Sequence, residues 1–320
     1  MEPSQPLDVL IIGGGPAGLT AALTLARQRH TVVVFDSGQY RNAATNHIHT
    51  VLTWDHKNPN EFRAAARENI ASGYQTTTFR DVAVEKIRKT EDGLFEATDK
   101  DSKLWVGKKV ILATGVMDIY PDIEGYDDCW VSGIFHCLFC HGYEERFSAS
   151  SGVLAVGDLS NAPPAMHFAR NAHQLTPNGV TIYTNGSEPL RDSLTSALGP
   201  NSTIKVDSRT ISRLEKGPHR AEVILHFSDG SQAVEGFIAH KPKCQLSGTF
   251  AQQLGLELTP QGDLKATPPF YQTSLQGAFT AGDTSSPVKI APNALYTGAA
   301  AAAGVAAQLQ AEALGHKSMV

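Results

Sequence analysis

The residues best suited to chemistry stand at Cys137-Leu138-Phe139-Cys140-His141. Two thiols at this spacing can interconvert between dithiol and disulfide, a two-electron unit. The same string admits other readings. As a zinc site it supplies two of four ligands. Cys129 and Cys244, the remaining cysteines, form no second pair, which leaves only His136 and His141 to complete such a site. As a haem-attachment sequence it requires a periplasmic or mitochondrial setting and a haem pocket. A structural disulfide is out of place in a reducing compartment. The redox reading leads, and no metal is expected. An imidazole beside the second thiol suits proton transfer near neutral pH, so His141 joins Cys137 and Cys140 as a catalytic candidate. A plainly packed histidine is the alternative.

A second chemistry-bearing string is Gly13-Gly14-Gly15-Pro16-Ala17-Gly18. It matches G-x-G-x-x-G, with one glycine for the turn, one for backbone approach to a pyrophosphate and one for close helix–strand packing. Its context fits: a β-branched run over 7–12, an Ala/Leu-rich helix over 16–29, and a strand over 31–35 closed by Asp36. That carboxylate stands where a ribose hydroxyl is expected. The motif alone does not separate FAD from NAD.

Around these strings the sequence predicts a helix over 60–72, with Asn60 as its cap and Gly73 just beyond. Strand-like runs follow at 82–87, 94–97 and 104–111, the first two joined by the turn signal Asp92-Gly93. A second β-α-β begins at 153–156, with a helix over 162–175 and a strand over 180–184. Further strands are expected at 202–206, 222–227 and 237–240. An uncharged run over 290–309 is long enough to span a bilayer. Its alanine content marks it as a buried helix instead.

The chain has 320 residues, a length that fits about two domains. Lys plus Arg number 27 against 32 Asp plus Glu, a net charge of −5, which lacks the basic footprint of a nucleic-acid binder. With 41% hydrophobic and 18% charged residues the composition is globular. The first residues lack the basic and apolar regions of a signal peptide, so a cytoplasmic protein is expected.

Ala113-Thr114-Gly115 and Ala281-Gly282-Asp283 resemble the remaining flavin-contact motifs of two-domain flavoprotein disulfide reductases. With the cysteine pair, the chain resembles the low-molecular-weight thioredoxin reductases over essentially its whole length. The resemblance implies an α/β fold of two Rossmann-like domains, the second inserted into the first. An FAD domain would comprise 1–115 and 245–320, and a degenerate NADPH-type domain 116–244 would carry the cysteines. FAD would be held by Gly13, Gly15, Pro16, Ala17, Gly18, Asp36, Ser37, Arg41, Ala113, Thr114, Gly115, Gly282, Asp283 and Ala291. Asp283 would meet the ribityl chain, and the helix start near Ala291 the pyrimidine end of the flavin. Cys140 would be the thiol that engages the flavin, Cys137 the one that meets substrate. A homodimer is implied as well.

The second β-α-β departs from the reductase pattern. It reads Gly157-Asp158-Leu159-Ser160-Asn161-Ala162, with Leu159 in place of the second glycine, so its side chain is expected to fill the pyrophosphate space. The next strand ends Thr184-Asn185-Gly186-Ser187-Glu188, with no basic residue before Arg191 to hold a 2′-phosphate. Loss of NADPH binding is the expectation. Phe139-Cys140-His141-Gly142-Tyr143-Glu144 and Phe35-Asp36-Ser37-Gly38-Gln39-Tyr40-Arg41-Asn42 resemble segments of the NADPH-independent dithiol oxidases that form gliotoxin- and holomycin-type disulfides. The implied partners are a small dithiol and dioxygen.

Overall fold

The computed structural model describes residues 5–177 and 179–320. Two compact units emerge. One comprises residues up to Met117 together with Cys244–Val320, the other Asp118–Lys243.

The first unit is built on a parallel sheet whose strands lie in the order Ala278–Thr280, Leu104–Leu112, Leu7–Ile12, Val32–Phe35 and Thr77–Arg80. Val9 pairs with Val32 on one side and Lys109 on the other, so Leu7–Ile12 is central. A central strand is covered on both faces, which explains its unbroken apolar run. On one face lie the helices Pro16–Ala26 and Ala291–Ala313, packing with Val9, Ile11, Val34 and Ile111. Gly298 permits this contact, since a Cβ there would meet Ala17 O at 2.3 Å. On the other face, Val33, Phe35 and Leu112 pack with Phe95, Phe250 and Leu254. The uncharged run over 290–309 is thus a packed helix. Among the described residues no helix is long and apolar enough to cross a membrane.

The second unit carries a five-stranded parallel sheet in the order Lys205–Asp207, Val180–Tyr183, Ser151–Leu154, Ile238–Ala239, Ile134–Phe135. Helix Ala162–Leu175 packs on it through Ala165, Ala169 and Ala172. A three-stranded antiparallel sheet, Ile211–Lys216, Val223–Phe227 and Gln232–Glu235, completes the unit.

Several local expectations shift. The helix after the first β-α-β spans Pro59–Gly73 and is capped by Asn58, whose side chain accepts from Asn60 N at 2.8 Å. Asn60 is therefore not the cap, and Gly73 is the last helical residue. Proline at the first helical position displaces the start by one residue. The helix Glu188–Leu198 was not expected. Turn signals at Gly186 and Pro189 hide it, although its buried Leu190 and Leu194 are spaced one turn apart.

Candidate active site: a dinucleotide cradle and a redox turn

In the first unit, Gly13 has φ 119°, and a Cβ there would meet Ala113 O at 2.2 Å. A Cβ on Gly18 would meet Gly13 O at 1.9 Å. Both positions demand glycine. At Gly15 the Cβ direction is open, with nothing within 4 Å, which is the approach a pyrophosphate needs. Pro16 opens the helix, so Ala17 and Gly18 keep their N–H groups for an anion.

Asp36 closes the second strand and is buried. Its Oδ1 accepts from Gly38 N at 2.9 Å, its Oδ2 from the Tyr40 hydroxyl at 2.6 Å. Arg67 Nη1 stands 3.4 Å from Oδ2. Burial first, then the bond to Asp36, pushes the Tyr40 phenol up to about 12. The carboxylate is thus fixed in place, and its remaining lone pairs are available to a ribose hydroxyl. Ser37 makes a local turn, its Oγ accepting from Gln39 N at 3.3 Å.

Arg41 reaches Asp283 Oδ2 at 3.3 Å and lies 3.8 Å from Cys244 Sγ. Gly282 has φ 80° and donates its N–H to Thr297 Oγ1 at 2.8 Å. This bond ties the Gly282–Asp283 turn to helix Ala291–Ala313. Lys289 locks the same turn, with Asp283 O at 2.7 Å, Ser286 O at 2.9 Å and Asp263 Oδ1 at 2.8 Å. Gly115, in the left-handed region at φ 71°, accepts from Ser247 N at 3.1 Å and ends the strand beside Thr114. At Ala291 the helix begins; Pro292 donates nothing, which leaves the N–H groups of Ala291 and Asn293. The open Gly15, the free N–H groups of the helix start and the fixed Asp36 carboxylate suit the pyrophosphate and ribose of a dinucleotide. Sequence reasoning missed Tyr40, Arg67, Thr297 and Lys289, which support the cradle from elsewhere in the chain.

In the second unit Cys137 and Cys140 are joined as a disulfide, with Cα atoms 5.2 Å apart. Cys140 N and His141 N both donate to Cys137 O at 3.0 Å, one tight turn holding both sulfurs. The His141 ring stacks on Phe135, centroids 4.0 Å apart and planes 13° from parallel. Stacking fixes the plane of the imidazole and leaves its nitrogen-bearing edge clear of Phe135. Gly142 is compelled by Leu138, whose carbonyl would lie 2.7 Å from a Cβ. Phe139, between the cysteines, is 70% exposed. Cys129 is wholly buried, and burial pushes its thiol up to about 11, so it is inert at neutral pH.

The second nucleotide turn has a different shape from the first. Gly157–Leu159 coil into a 3-10 turn. Leu159 does not fill a pyrophosphate space; it turns inward and is buried among Phe135, Val153 and Ala165. The helix that follows reads Ala162-Pro163-Pro164, so two of its three leading N–H groups do not exist. Asp158 is exposed at the same turn. Arg191 is engaged by Glu188 and Asp192. Parallel pairing of Tyr183 with Asp207 brings Arg209 to this strand end, which the sequence reading did not foresee. Asp207 holds its guanidinium at 3.1 Å through Nε, and the group stacks 3.9 Å over the Phe227 ring.

A family model described as pyridine nucleotide-disulphide oxidoreductase matches residues 7–298. The chain is 48% identical over 304 residues to a protein of Aspergillus oryzae named thioredoxin reductase aclD, covering 94% of this chain and 96% of that one. It is 44% identical over 320 residues to thioredoxin reductase tcpT of Claviceps purpurea, covering 100% and 99%. Among solved structures, an oxidoreductase from Agrobacterium tumefaciens matches with a TM-score of 0.83 at 32% identity, covering 96% and 99%. HlmI matches with a TM-score of 0.84 at 27% identity, covering 98% and 96%. The family typically binds FAD. With its glycine cradle and cysteine pair, the chain belongs to the pyridine nucleotide-disulphide oxidoreductase family, as a thioredoxin reductase-like flavoprotein.

Proposed function

We propose that the protein is an FAD-dependent dithiol oxidase that closes an intramolecular disulfide in a small secondary metabolite of epidithiodiketopiperazine type. The observation that carries this reading is the contrast between the two nucleotide turns. The first keeps its glycines and free N–H groups; the second has Leu159 buried, Pro163 and Pro164 at the helix start, and its arginines paired with carboxylates.

One substrate thiolate attacks Cys137 of the disulfide, and Cys140 leaves as thiolate. The second substrate thiolate attacks the mixed disulfide, releasing cyclised substrate and a Cys137/Cys140 dithiol. His141 takes and returns the protons that these exchanges displace. The glycine cradle and Asp36 would hold FAD, and the flavin would supply the two-electron sink between the cysteine dithiol and dioxygen. Overall, one dithiol and one O₂ give one disulfide and one H₂O₂.

A nicotinamide-driven disulfide reductase is the second reading, favoured by the names of the relatives. Anaerobic mixing of the holoenzyme with NADPH or with a small vicinal dithiol separates the two. Dithiol should bleach the flavin within the turnover time and NADPH should not; in air the dithiol should drive oxygen uptake. Rapid bleaching by NADPH, with no oxygen uptake on any cyclic dithiol, would falsify the oxidase reading.

A further inference from the structure

The redox turn is held on both sides by contacts within the second unit. Before Cys137, strand Ile134–Phe135 enters the sheet, and His240 N donates to Phe135 O at 3.0 Å. Leu138, between the cysteines, is buried in the cluster that also holds Phe135 and Ala221. After Cys140, the chain coils into a 3-10 turn over Tyr143–Glu145, where Glu145 N donates to Gly142 O at 2.9 Å.

The hairpin between strands Ile211–Lys216 and Val223–Phe227 reaches this second point. Its tip is firmly built. Gly217 N donates to Glu222 O and Glu222 N to His219 O, both at 2.8 Å, and Lys216 Nζ donates to Arg220 O at 2.6 Å. Arg220 has a left-handed backbone, φ 45°, which a non-glycine residue keeps only where its surroundings impose it. A Cβ on Gly133 would meet Ala221 O at 2.8 Å, so the tip also lies close against the approach to strand Ile134–Phe135. From there Arg220 Nε donates to Glu145 Oε2 at 2.9 Å, and Arg220 Nη2 donates to the Glu144 carbonyl. The Arg220 side chain is 61% exposed, but that of Glu145 only 8%. A pair exposed at both ends contributes little. A carboxylate buried this far depends on its partner.

We propose that Arg220 is a positioning residue of the redox pair. Through Glu145 and the Glu144 carbonyl it holds the chain after Cys140, while the sheet holds the chain before Cys137. In the reduced protein the two thiols then stay at closing distance, and the disulfide is favoured. The exchange that reads this is balanced. A small dithiol gives up two electrons and two protons, becomes a cyclic disulfide and leaves Cys137 and Cys140 as a dithiol. Its equilibrium depends on the effective concentration of one protein thiol at the other, which falls when a flanking segment is released. The clamp acts in either direction of electron flow, so it does not depend on the oxidase reading.

The test equilibrates the holoenzyme anaerobically with graded ratios of reduced to oxidised dithiothreitol. Acid quenching, alkylation and mass spectrometry of the peptide holding Cys137 and Cys140 give the oxidised fraction. Arg220→Met should move the equilibrium about 10-fold toward the dithiol, or about 30 mV for this two-electron couple. That variant leaves the Glu145 carboxylate buried without its partner, so Arg220→Met/Glu145→Gln, which removes both charges, is measured beside it. The double variant should move the equilibrium as far as the single one and no farther, because the two residues act as one contact. A thermal melt accompanies each. A pair that serves stability alone lowers the melting temperature and leaves the thiol equilibrium where it was, and that result overturns the clamp. A shift in Arg220→Met that disappears in the double variant also overturns it, since the stranded charge would then be the cause.

Discussion

At Cys140 and His141 a change of a few atoms separates chemistry from packing. Cys140→Ser keeps the turn bond from Cys140 N to Cys137 O but removes the thiol proposed to leave. Flavin reduction by dithiol should fall to background, read by anaerobic stopped-flow absorbance. His141→Ala should slow the same step by about 10²–10⁴, the usual worth of positioned acid–base catalysis. A His141→Ala rate equal to the parent's would reduce this ring to a partner for Phe135. The cysteine pair and the glycines of the first turn are legible in the sequence because spacing and backbone geometry are local properties. Tyr40, Arg67 and Arg209 are not. Arg209 reaches the end of strand Val180–Tyr183 only through the register that pairs Tyr183 with Asp207. Leu159 was legible as a missing glycine, but its inward rotamer depends on the core it joins.

The elements are held by a few close approaches. Gly298→Ala would drive a Cβ to 2.3 Å from Ala17 O. Helices Pro16–Ala26 and Ala291–Ala313 must then separate, at a cost of about 1–3 kcal/mol, visible as a lowered urea midpoint with weaker flavin retention. Asn58→Ala removes the cap of helix Pro59–Gly73 and should cost about 1 kcal/mol in the same measurement. Strands with unbroken β-branched runs, such as Leu7–Ile12, were legible because burial on both faces writes a continuous signal. Ile211–Lys216 and Gln232–Glu235 escaped notice because their charged residues and imperfect alternation describe a sheet open to water on one side. Pro163 and Pro164 stand in the first turn of helix Ala162–Leu175, where proline is tolerated. Their effect on anion binding emerges once the helix boundary shows which N–H groups are missing.

At the scale of the molecule, two units of different chemistry share one chain, and acid should act on them unequally. His240 is buried in the second unit, its Nδ1 2.7 Å from the Tyr126 hydroxyl. Burial lowers its pKa to about 4 from an ordinary 6.5. The unfolded chain therefore binds more protons than the folded one between these values, and stability must fall as pH drops from about 6.5 toward about 4. The loss is on the order of 3 kcal/mol and should be seen in urea unfolding of the second unit at pH 7 and pH 4.5, with a smaller pH dependence in His240→Phe. The tight Cys137–Cys140 turn has a further consequence for the choice of substrate. If the proposed roles hold, a monothiol captured on Cys137 meets Cys140 at intramolecular range and is expelled long before a second molecule arrives from solution. A tethered second thiol competes on the same terms as Cys140, because its own local concentration is comparably high. The turn thus acts as a stopwatch. On the proposed oxidase reading, it would let through only those molecules whose two sulfurs are already neighbours and would spare monothiols without needing to recognise them.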